Sequence, residues 1–222
     1  MGRVSAIVSA YYASEFIHSR MNNLLEQEPT PEVVVVAQED SEEDKVATRE
    51  GVKVIRTTGV PTLYAAWNMA IRQATGDYIT NANSDDLLYP GSLRILAETL
   101  DAFPHIALCY SDSDVTKEYG GDPVNRMCWV QGGIREIKEG CFIGSMPMWR
   151  ASLHQKYGFF DDQMKSAGDY EFWLRIMMAG EKVHHVPRAL GAYLVRKQSI
   201  YHSKPLLSIW EVARSKSRYI KE

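Results

Sequence analysis

Apolar positions in the first half of the chain follow two alternating patterns. Short β-branched runs predict strands near residues 3–9, 32–37, 52–56, 77–82 and 106–110. Between these runs, apolar residues recur every three to four positions, the spacing that places them on one face of a helix. Strands that alternate with helices are typical of successive βαβ units. The pattern therefore predicts an α/β fold with a mainly parallel sheet.

Residues that favour helix ends indicate where these helices begin and end. Ser14 and Thr62 predict two helix starts, because their hydroxyls accept a hydrogen bond from a first-turn backbone N–H. Pro90 predicts a third start, since a first-turn amide needs no helical partner. Gly76 predicts the end of the second helix, because glycine adopts a left-handed conformation without a steric cost.

The second half of the chain is less regular. Periodicity is weak from about residue 111 to 150, where we expect loops and short elements of the kind that often carry function. A helix is predicted at roughly 169–179, with strands near 182–187 and 190–195 after it. Glu171 and Arg175 lie four positions apart and predict a surface ion pair on that helix.

The last segment, from Pro205 to Tyr219, is predicted to be an amphipathic helix. We expect this helix to pack on the domain or on a second subunit, and a membrane surface is the alternative. Its apolar side would carry Leu206, Leu207, Ile209, Trp210 and Ala213, and its basic side Arg214, Lys216 and Arg218.

Length and composition limit the class of protein. The 222 residues suffice for one well-buried domain and are few for two. Hydrophobic residues make up 45% and charged residues 24%, as in an ordinary globular protein. The formal net charge of −3 provides no basic field for a nucleic-acid backbone, so we expect no nucleic-acid partner.

Targeting and cysteine patterns add two expectations. The N-terminal apolar run is shorter than a signal peptide requires, and no stretch approaches the roughly 20 apolar residues of a membrane span. We therefore expect a cytoplasmic protein, with peripheral attachment at the inner membrane face left open. Cys109, Cys128 and Cys141 indicate neither a disulfide framework nor a zinc site, and we expect buried or half-buried thiols.

The strongest chemical signal is the segment Asn83-Ser84-Asp85-Asp86, which follows a predicted strand directly. Ligands of open α/β sheets bind outside the carboxyl ends of the strands. Carboxylates at such an end suit a divalent cation, which typically uses one or two of them while substrate phosphates complete its coordination. The segment therefore predicts a cation that binds together with a diphosphate.

The order of segments along about residues 3–201 resembles glycosyltransferase family 2, the inverting nucleotide-sugar glycosyltransferases with the GT-A fold. Each single motif is weak, but their order and spacing together are specific. The matching segments are Val4 to Tyr12, Leu25-Glu26-Gln27, residues 33–41, residues 63–71, Asn83-Ser84-Asp85-Asp86, Gly158-Phe159-Phe160-Asp161 and residues 168–175.

The resemblance implies one GT-A domain, a Rossmann-like unit over residues 1–222 whose central sheet is flanked by helices. Residues 1–110 would form the half that binds the nucleotide-sugar donor. Residues 111–203 would form the acceptor half, and residues 204–222 the C-terminal amphipathic helix.

The resemblance also implies a role for each matching position. The base and ribose of the donor would lie against Ala10, Tyr11, Gln38 and Glu39, and Asn68 and Asn83 would help to hold the donor. Asp85 would bind the metal, Mn²⁺ or Mg²⁺, with Asp86 beside it. Asp169 would be the catalytic base.

These roles imply transfer of a sugar from a nucleotide diphosphate sugar, with a UDP-sugar favoured, to a hydroxyl of a glycan or glycolipid. A positioned carboxylate that accepts the hydroxyl proton contributes typically ~10²–10⁴ in rate. A cation stabilises the departing diphosphate. Direct displacement inverts the anomeric centre, and the resemblance further suggests surface polysaccharide or glycoconjugate biosynthesis.

The chain departs from the family pattern in three segments. Asn83 stands where many members have Asp, and Gln38 and Glu39 stand where paired Asp residues are usual. Arg196 stands where the family often has a histidine, and its planar guanidinium suits phosphate oxygens. We therefore expect Arg196 to bind the diphosphate and the dependence on metal to be weaker than usual.

Several alternatives stay open. The departures motivate a first alternative, a noncatalytic protein that keeps the fold to bind nucleotide sugars or a partner, and a homo-oligomer is a further alternative. A nucleotidyltransferase is disfavoured, because residues 9–12 lack a glycine-rich basic loop. Asp112 and Asp114 also follow an apolar strand and imitate the acidic segment. Asp169 is well placed to cap its helix as well as to act as a base.

Overall fold

A computed structural model describes residues 1–49, 51–196 and 205–220. The strands are β1 (Val4–Ala10), β2 (Glu32–Gln38), β3 (Val52–Thr57), β4 (Tyr78–Asn81), β5 (Leu87–Leu88), β6 (Ile106–Thr116), β7 (Asn125–Met127), β8 (Met148–Arg150) and β9 (Lys182–Leu194). The helices are α1 (Ile17–Leu25), α2 (Glu42–Ala47), α3 (Leu63–Gln73), α4 (Ser92–Ala102), α5 (Ile134–Glu139), α6 (Ser152–Tyr157), α7 (Gly168–Met178) and α8 (Pro205–Tyr219).

One mixed sheet runs through the described residues in the strand order β3-β2-β1-β4-β8-β6-β9-β5, with β7 paired to β6. The first four strands in this order are parallel, as the βαβ pattern predicts. Strand β8 then pairs antiparallel with both β4 and β6. The expectation of a mainly parallel sheet therefore holds for the first half of the chain, whereas the second half is mixed.

The sheet is covered on both faces. Alternate residues of a strand point to opposite faces. On β2, Val34 and Val36 belong to a core with α3 and α7, while Val33 and Val35 belong to a second core with α1 and α4. A strand buried on both faces has no polar alternation, which explains the continuous apolar run of β2.

Helix boundaries differ from the predicted ones where local packing decides them. The side chain of Thr62 accepts the N–H of Ala65, so its predicted cap is confirmed. Ser14 does not cap α1, because the backbone carbonyl of Ala13 takes the first amides and the helix begins only at Ile17.

Two further boundaries are shifted. Helix α4 begins at Ser92 rather than at Pro90, because Gly91 takes a left-handed φ of 77° directly before it. Helix α3 ends at Gln73, and Gly76 serves close packing, since a Cβ there would lie 2.7 Å from the backbone N of Ser5.

The single strand β9 replaces the two predicted strands near 182–187 and 190–195. It pairs in parallel with β6, and irregularities in that register lie near Ser111 and Asp112. An irregular register lets one strand continue where the sequence suggests a break.

The last helix is present over the predicted residues, but its apolar side faces outward. Leu206, Ile209 and Trp210 are 80%, 65% and 57% exposed. The side that packs on the domain carries Ser208, Glu211 and Ser215 instead. The helix therefore packs on the domain, as expected, but it does so through its polar side, and the polar contacts described below are the reason.

Glu171 and Arg175 form an ion pair, but a buried one, which corrects the predicted surface pair. The guanidinium of Arg175 donates to Glu171 Oε2 at 2.7 Å and to the carbonyls of Tyr157 and Phe159. The pair thereby joins α7 to the loop after α6.

The cysteines and the apolar segments complete the description. Cys109 is buried, as expected, whereas Cys128 and Cys141 are exposed. Within residues 1–49, 51–196 and 205–220, no helix combines the length and the apolar character needed to cross a membrane.

Candidate active site

The predicted donor residues of the first two strands lie at one edge of the sheet. Strands β1 and β2 are parallel neighbours in which Ala10 pairs with Ala37, so the residues after them are adjacent. Tyr11 and Thr57 share a hydrogen bond of 2.7 Å between their hydroxyl oxygens. Gln38 is the last residue of β2, Glu39 follows it, and both side chains are exposed. This edge is formed by the carboxyl ends of parallel strands, where ligands of such sheets bind.

Tyr12 is a feature of this edge that the motif comparison missed. It is exposed, and its φ of 55° lies in the left-handed region that few residues other than glycine adopt. A tyrosine in that conformation directly after β1 presents an aromatic surface next to Tyr11. The aromatic pair Tyr11-Tyr12 after an apolar strand was the available signal.

The acidic segment follows β4 at the same edge. Asp86 is buried, and its Oδ2 accepts the side-chain N–H of Asn83 at 2.9 Å. Burial raises the pKa of Asp86 to about 7, helped by the charge of Asp85 and opposed by the Asn83 hydrogen bond and by Arg20. Asn83 therefore positions Asp86 inside the segment.

Asp85 is the more accessible carboxylate and is held by Arg196. The guanidinium donates to Asp85 Oδ2 through Nε at 3.0 Å and Nη2 at 2.6 Å, across 111 positions of sequence. The Phe16 ring lies under the same guanidinium, 4.8 Å from its Cζ. The structure thus brings together Asp85 and Arg196, which the sequence predicted for the same ligand.

Arg20 of α1 is a second cation at this segment, and the sequence comparison missed it. Its side chain is fully buried and donates to Asn23 Oδ1, while its Nε and Nη2 find no hydrogen-bond partner among the residues that the structure describes. Burial lowers its pKa, and the nearby charges of Asp86 and Asp85 oppose that effect. The signal in the sequence was the position of Arg20 in α1, where its spacing places it on the same buried side as the apolar residues Ile17 and Leu24.

Asp169 lies in the first turn of α7, where a carboxylate is stabilised by the helix dipole. Its Oδ1 accepts the hydroxyl of Tyr64 at 3.1 Å and the backbone N–H of Tyr170 at 2.8 Å. Burial raises the pKa of this half-buried carboxyl, and the two hydrogen bonds oppose the rise. Tyr64 lies in the first turn of α3, which follows the carboxyl end of β3, and so Asp169 lies at the same edge as the acidic segment.

Close packing fixes the contact between Tyr64 and the start of α7. A Cβ at position 168 would lie 2.7 Å from two ring atoms of Tyr64, a distance that real Cβ contacts do not show. Gly168 is therefore required for the approach that lets the tyrosine hydroxyl reach Asp169.

Glu211 of α8 holds the loop that precedes Asp169, and motif reasoning missed it. Its carboxylate accepts the backbone N–H groups of Lys165, Ser166 and Ala167 at 2.8, 2.9 and 2.8 Å. Three charge-assisted hydrogen bonds on a buried carboxylate outweigh the burial of apolar residues from the other side of α8. These contacts explain the outward direction of Leu206, Ile209 and Trp210.

Asn68 has structural contacts in place of the predicted donor contact. Its amide donates to the carbonyl of Phe160 at 2.9 Å and accepts the N–H of Phe160 at 3.1 Å. The side chain is buried and joins α3 to the segment before α7. A direct contact with the donor stays a prediction.

The second acidic pair, Asp112 and Asp114, is occupied by other groups. Asp112 accepts the backbone N–H of Trp129 and lies 2.8 Å from the Nε2 of His185. Asp114 accepts two N–H groups from Arg126 and the hydroxyl of Tyr89. Both carboxylates therefore serve contacts within the second half of the sheet and its neighbouring loops.

A family model of glycosyl transferase family 2 matches residues 5–158, which is more than half of the chain. The chain belongs to this family. The predicted family is thereby confirmed, and glycosyl transfer is the enzyme class that the family describes.

Solved structures confirm the GT-A fold of this glycosyl transferase family 2 chain. The Staphylococcus aureus protein TarS in complex with UDP-GlcNAc gives a TM-score of 0.78 at 20% identity, covering 98% of this chain and 66% of that one. The mannosyltransferase PcManGT from Pyrobaculum calidifontis, in complex with GDP-Man and Mn²⁺, gives 0.74 at 19% identity over 100% and 65%.

Curated relatives share part of the chain. The Bacillus subtilis protein YwdF, named as a glycosyltransferase, is 27% identical over 135 residues, which are 58% of this chain and 49% of that protein. The Sinorhizobium fredii protein y4gI is 30% identical over 132 residues, 58% of this chain and 14% of that protein. The chain thus spans half or less of these two relatives.

The acidic segment fits a divalent cation that arrives with phosphates. Within the described part of the chain, no three His, Cys, Asp or Glu side chains group closely enough to hold a metal by themselves. Asp85 supplies one accessible carboxylate, and Mg²⁺ commonly takes one or two while phosphates complete its coordination. The guanidinium of Arg196 occupies one oxygen of this carboxylate, Oδ2.

Proposed function

We propose that this chain is an inverting glycosyltransferase that transfers a sugar from a nucleotide diphosphate sugar to an acceptor hydroxyl. The observation that carries the proposal is the shared sheet edge of two differently held carboxylates, Asp85 after β4 and Asp169 at the start of α7. The complexes of TarS with UDP-GlcNAc and of PcManGT with GDP-Man support a nucleotide sugar as the donor. The family's usual reaction supports the assignment.

Asp169 accepts the proton in the proposed reaction. The acceptor oxygen forms a bond to the anomeric carbon, the bond from that carbon to the diphosphate oxygen breaks, and the hydroxyl proton passes to the carboxylate. The raised pKa of Asp169 brings its basicity closer to neutral pH, which favours general base catalysis. Attack from the side opposite the leaving diphosphate inverts the anomeric centre.

Asp85, with Arg196, binds the diphosphate end of the donor. A divalent cation, when bound, stabilises the charge of the departing diphosphate. Arg196 offers parallel N–H groups that match phosphate oxygens. Tyr11, Gln38 and Glu39 lie at the neighbouring strand ends, where the base and ribose of the donor would bind. We favour a UDP-sugar, with Mn²⁺ or Mg²⁺ as the cation.

The test is release of nucleotide diphosphate from a panel of nucleotide sugars in the presence of Mn²⁺. Asp169→Asn should abolish release while the donor still binds. Asp162→Asn removes an exposed carboxylate from the same loop and serves as the matched control, with release unchanged. Release that survives Asp169→Asn would rule out the assigned base.

A second function, donor binding without turnover, is favoured by the ion pair between Arg196 and Asp85. In a noncatalytic protein this pair would keep the carboxylate permanently occupied. Tight nucleotide-sugar binding with no release by the unaltered chain, over the whole panel, would support this alternative.

We propose a glycolipid acceptor and a peripheral contact of α8 with an anionic membrane. Leu206, Ile209 and Trp210 form one exposed apolar stripe, and the exposed Arg214 lies beside it with its guanidinium 5.5 Å from the Trp210 ring. Trp rings with flanking cations favour the interface of anionic bilayers. Glu211 ties the same helix to the loop before Asp169, which would place the membrane on the acceptor side.

Sedimentation with vesicles tests this contact. The chain should bind phosphatidylcholine vesicles that contain phosphatidylglycerol, and Ile209→Ser with Trp210→Ser should remove the binding. Val124→Ser alters an equally exposed apolar residue elsewhere and should not change it. Unchanged vesicle binding in the double variant, or a dimer that the double variant dissociates, would contradict the membrane contact.

A further inference from the structure

Two guanidinium groups from elsewhere in the chain act on the two carboxylates of the acidic segment. Arg196 donates two hydrogen bonds to Asp85, and Arg20 lies beneath the segment within electrostatic range of Asp86. A carboxylate pair without cationic neighbours attracts a divalent ion strongly, because the charges add. Here the guanidinium of Arg196 pairs with Asp85, and the buried charge of Arg20 acts on Asp86, so the attraction of the free segment for a lone cation is reduced.

The contact of Arg196 occupies one of the two carboxylate oxygens of Asp85 and places a positive charge against that group. Both of its donors converge on Oδ2 of Asp85, and the side chains of Arg196 and Asp85 are only 29% and 20% exposed. The Phe16 ring supports the guanidinium from one side, and the Tyr119 ring packs on Phe16 at 5.7 Å. A charge-assisted contact that is packed in this way opposes the binding of a metal by Asp85, because it occupies one oxygen and holds a positive charge beside the other.

The negative charge of a nucleotide sugar relieves the competition between Arg196 and a cation at Asp85. Its diphosphate offers oxygens to which a guanidinium can transfer its hydrogen bonds, and it brings negative charge that balances a divalent cation. Arg20 cannot follow such an exchange, because it is fully buried, and its unpartnered Nε and Nη2 keep positive charge beneath the segment throughout. The arrangement thus favours joint arrival of cation and diphosphate over binding of either alone.

We propose that Arg196 and a divalent cation exclude each other at Asp85 until the diphosphate accepts the guanidinium. This inference rests on the proposed function for the identity of the ligand, but not on turnover. Arg196 then acts twice: it blocks the cation in the free protein and positions the diphosphate in the complex. The consequence is positive coupling between Mn²⁺ and nucleotide diphosphate binding.

Titration of Mn²⁺, followed by the electron paramagnetic resonance signal of the free ion, tests the exchange without any reaction. In the absence of nucleotide, Arg196→Gln should bind Mn²⁺ about tenfold more tightly than the unaltered chain, because the competing fork is gone. With UDP present, both proteins should gain Mn²⁺ affinity, because phosphates complete the coordination of the cation, but the unaltered chain should gain about tenfold more, since only there does the diphosphate also release Asp85 from the guanidinium. Calorimetry without metal should show about tenfold weaker UDP binding by the variant.

Two controls locate the effect. Lys156→Gln breaks a comparable ion pair with Glu181, which precedes β9 while Arg196 follows it, and should leave Mn²⁺ binding unchanged. Asp85→Asn should remove the tight Mn²⁺ binding of Arg196→Gln. Nucleotide-free Mn²⁺ affinity that is equal in Arg196→Gln and in the unaltered chain overturns the exchange, as does tight binding that persists in the Asp85→Asn, Arg196→Gln double variant.

These results are separable from failure of the proposed function. Coupled Mn²⁺ and UDP binding with no sugar transfer from any donor would leave the exchange intact and contradict the enzyme. Transfer that depends on Asp169, together with unaltered Mn²⁺ affinity in Arg196→Gln, would support the enzyme and contradict the exchange.

Discussion

Asp85 and Asp169 lie at the same edge of the sheet, but a charged group holds the first and neutral groups hold the second. The guanidinium of Arg196 donates two hydrogen bonds to Asp85 and occupies one of its carboxylate oxygens. Asp169 receives only a tyrosine hydroxyl and a backbone amide, and its burial raises its pKa. A carboxylate of the first kind suits a ligand to a cation, and one of the second kind suits a proton acceptor.

Exchanging each carboxylate for its amide should separate the two roles with the largest effects. Asp169→Asn should lower the transfer rate by ~10²–10⁴ while leaving Mn²⁺-dependent UDP binding intact. Asp85→Asn should remove the extra thermal stabilisation that Mn²⁺ adds to UDP, since a ligand stabilises only the state that binds it. Thermal shift and turnover, measured on the same samples, test whether the two carboxylates have separate roles. An equal loss of binding in both variants would contradict that separation.

Removing the support of the base loop should have an intermediate effect. Glu211→Ala leaves the N–H groups of Lys165, Ser166 and Ala167 without their acceptor, and hydrogen bonds to a charged group contribute about 1.5–3 kcal/mol each. We expect a loss of at least one such contribution in urea unfolding and a lower turnover number. Ser217→Ala, on the exposed side of the same helix, is the control, and unchanged turnover in Glu211→Ala would show that the loop needs no support.

The smallest effects should be opposite shifts of the pH profile. The acid limb of turnover follows protonation of Asp169, whose surroundings include Tyr64 from α3, Glu211 from α8 and the Tyr170 amide. Tyr64→Phe removes a hydrogen bond that lowers the pKa, so the limb should move to higher pH. Glu211→Gln removes a negative charge that raises the pKa, so the limb should move to lower pH. Shifts in the same direction would contradict Asp169 as the titrating base.

Local sequence signals predicted much of the fold. The Thr62 hydroxyl caps α3 as expected, since a cap depends on residues three positions apart. The extent of α8 was also predictable, but its buried side was not. Periodicity identifies an apolar side, and here a contact between Glu211 and backbone amides 44 to 46 positions away determined which side packs.

The two carboxylates of the candidate site could be predicted from the sequence, whereas most of the groups around them could not. Asp85 and Asp169 were recognised because they lie in ordered motifs. Arg20, near the acidic segment, and Tyr64, the partner of Asp169, lie on helices whose register with the strand ends is a tertiary property, and the hydroxyl of Tyr64 reaches a residue 105 positions away. No spacing rule covers such a distance.

Position 168 does not tolerate a residue larger than glycine. Even the addition of one methyl group beside the Tyr64 ring would push the ring away from the carboxylate or turn the first residues of α7 aside. A variant library of the loop can therefore leave position 168 out, and efforts to widen the range of acceptors belong at exposed positions of that loop such as Gln163 and Lys165.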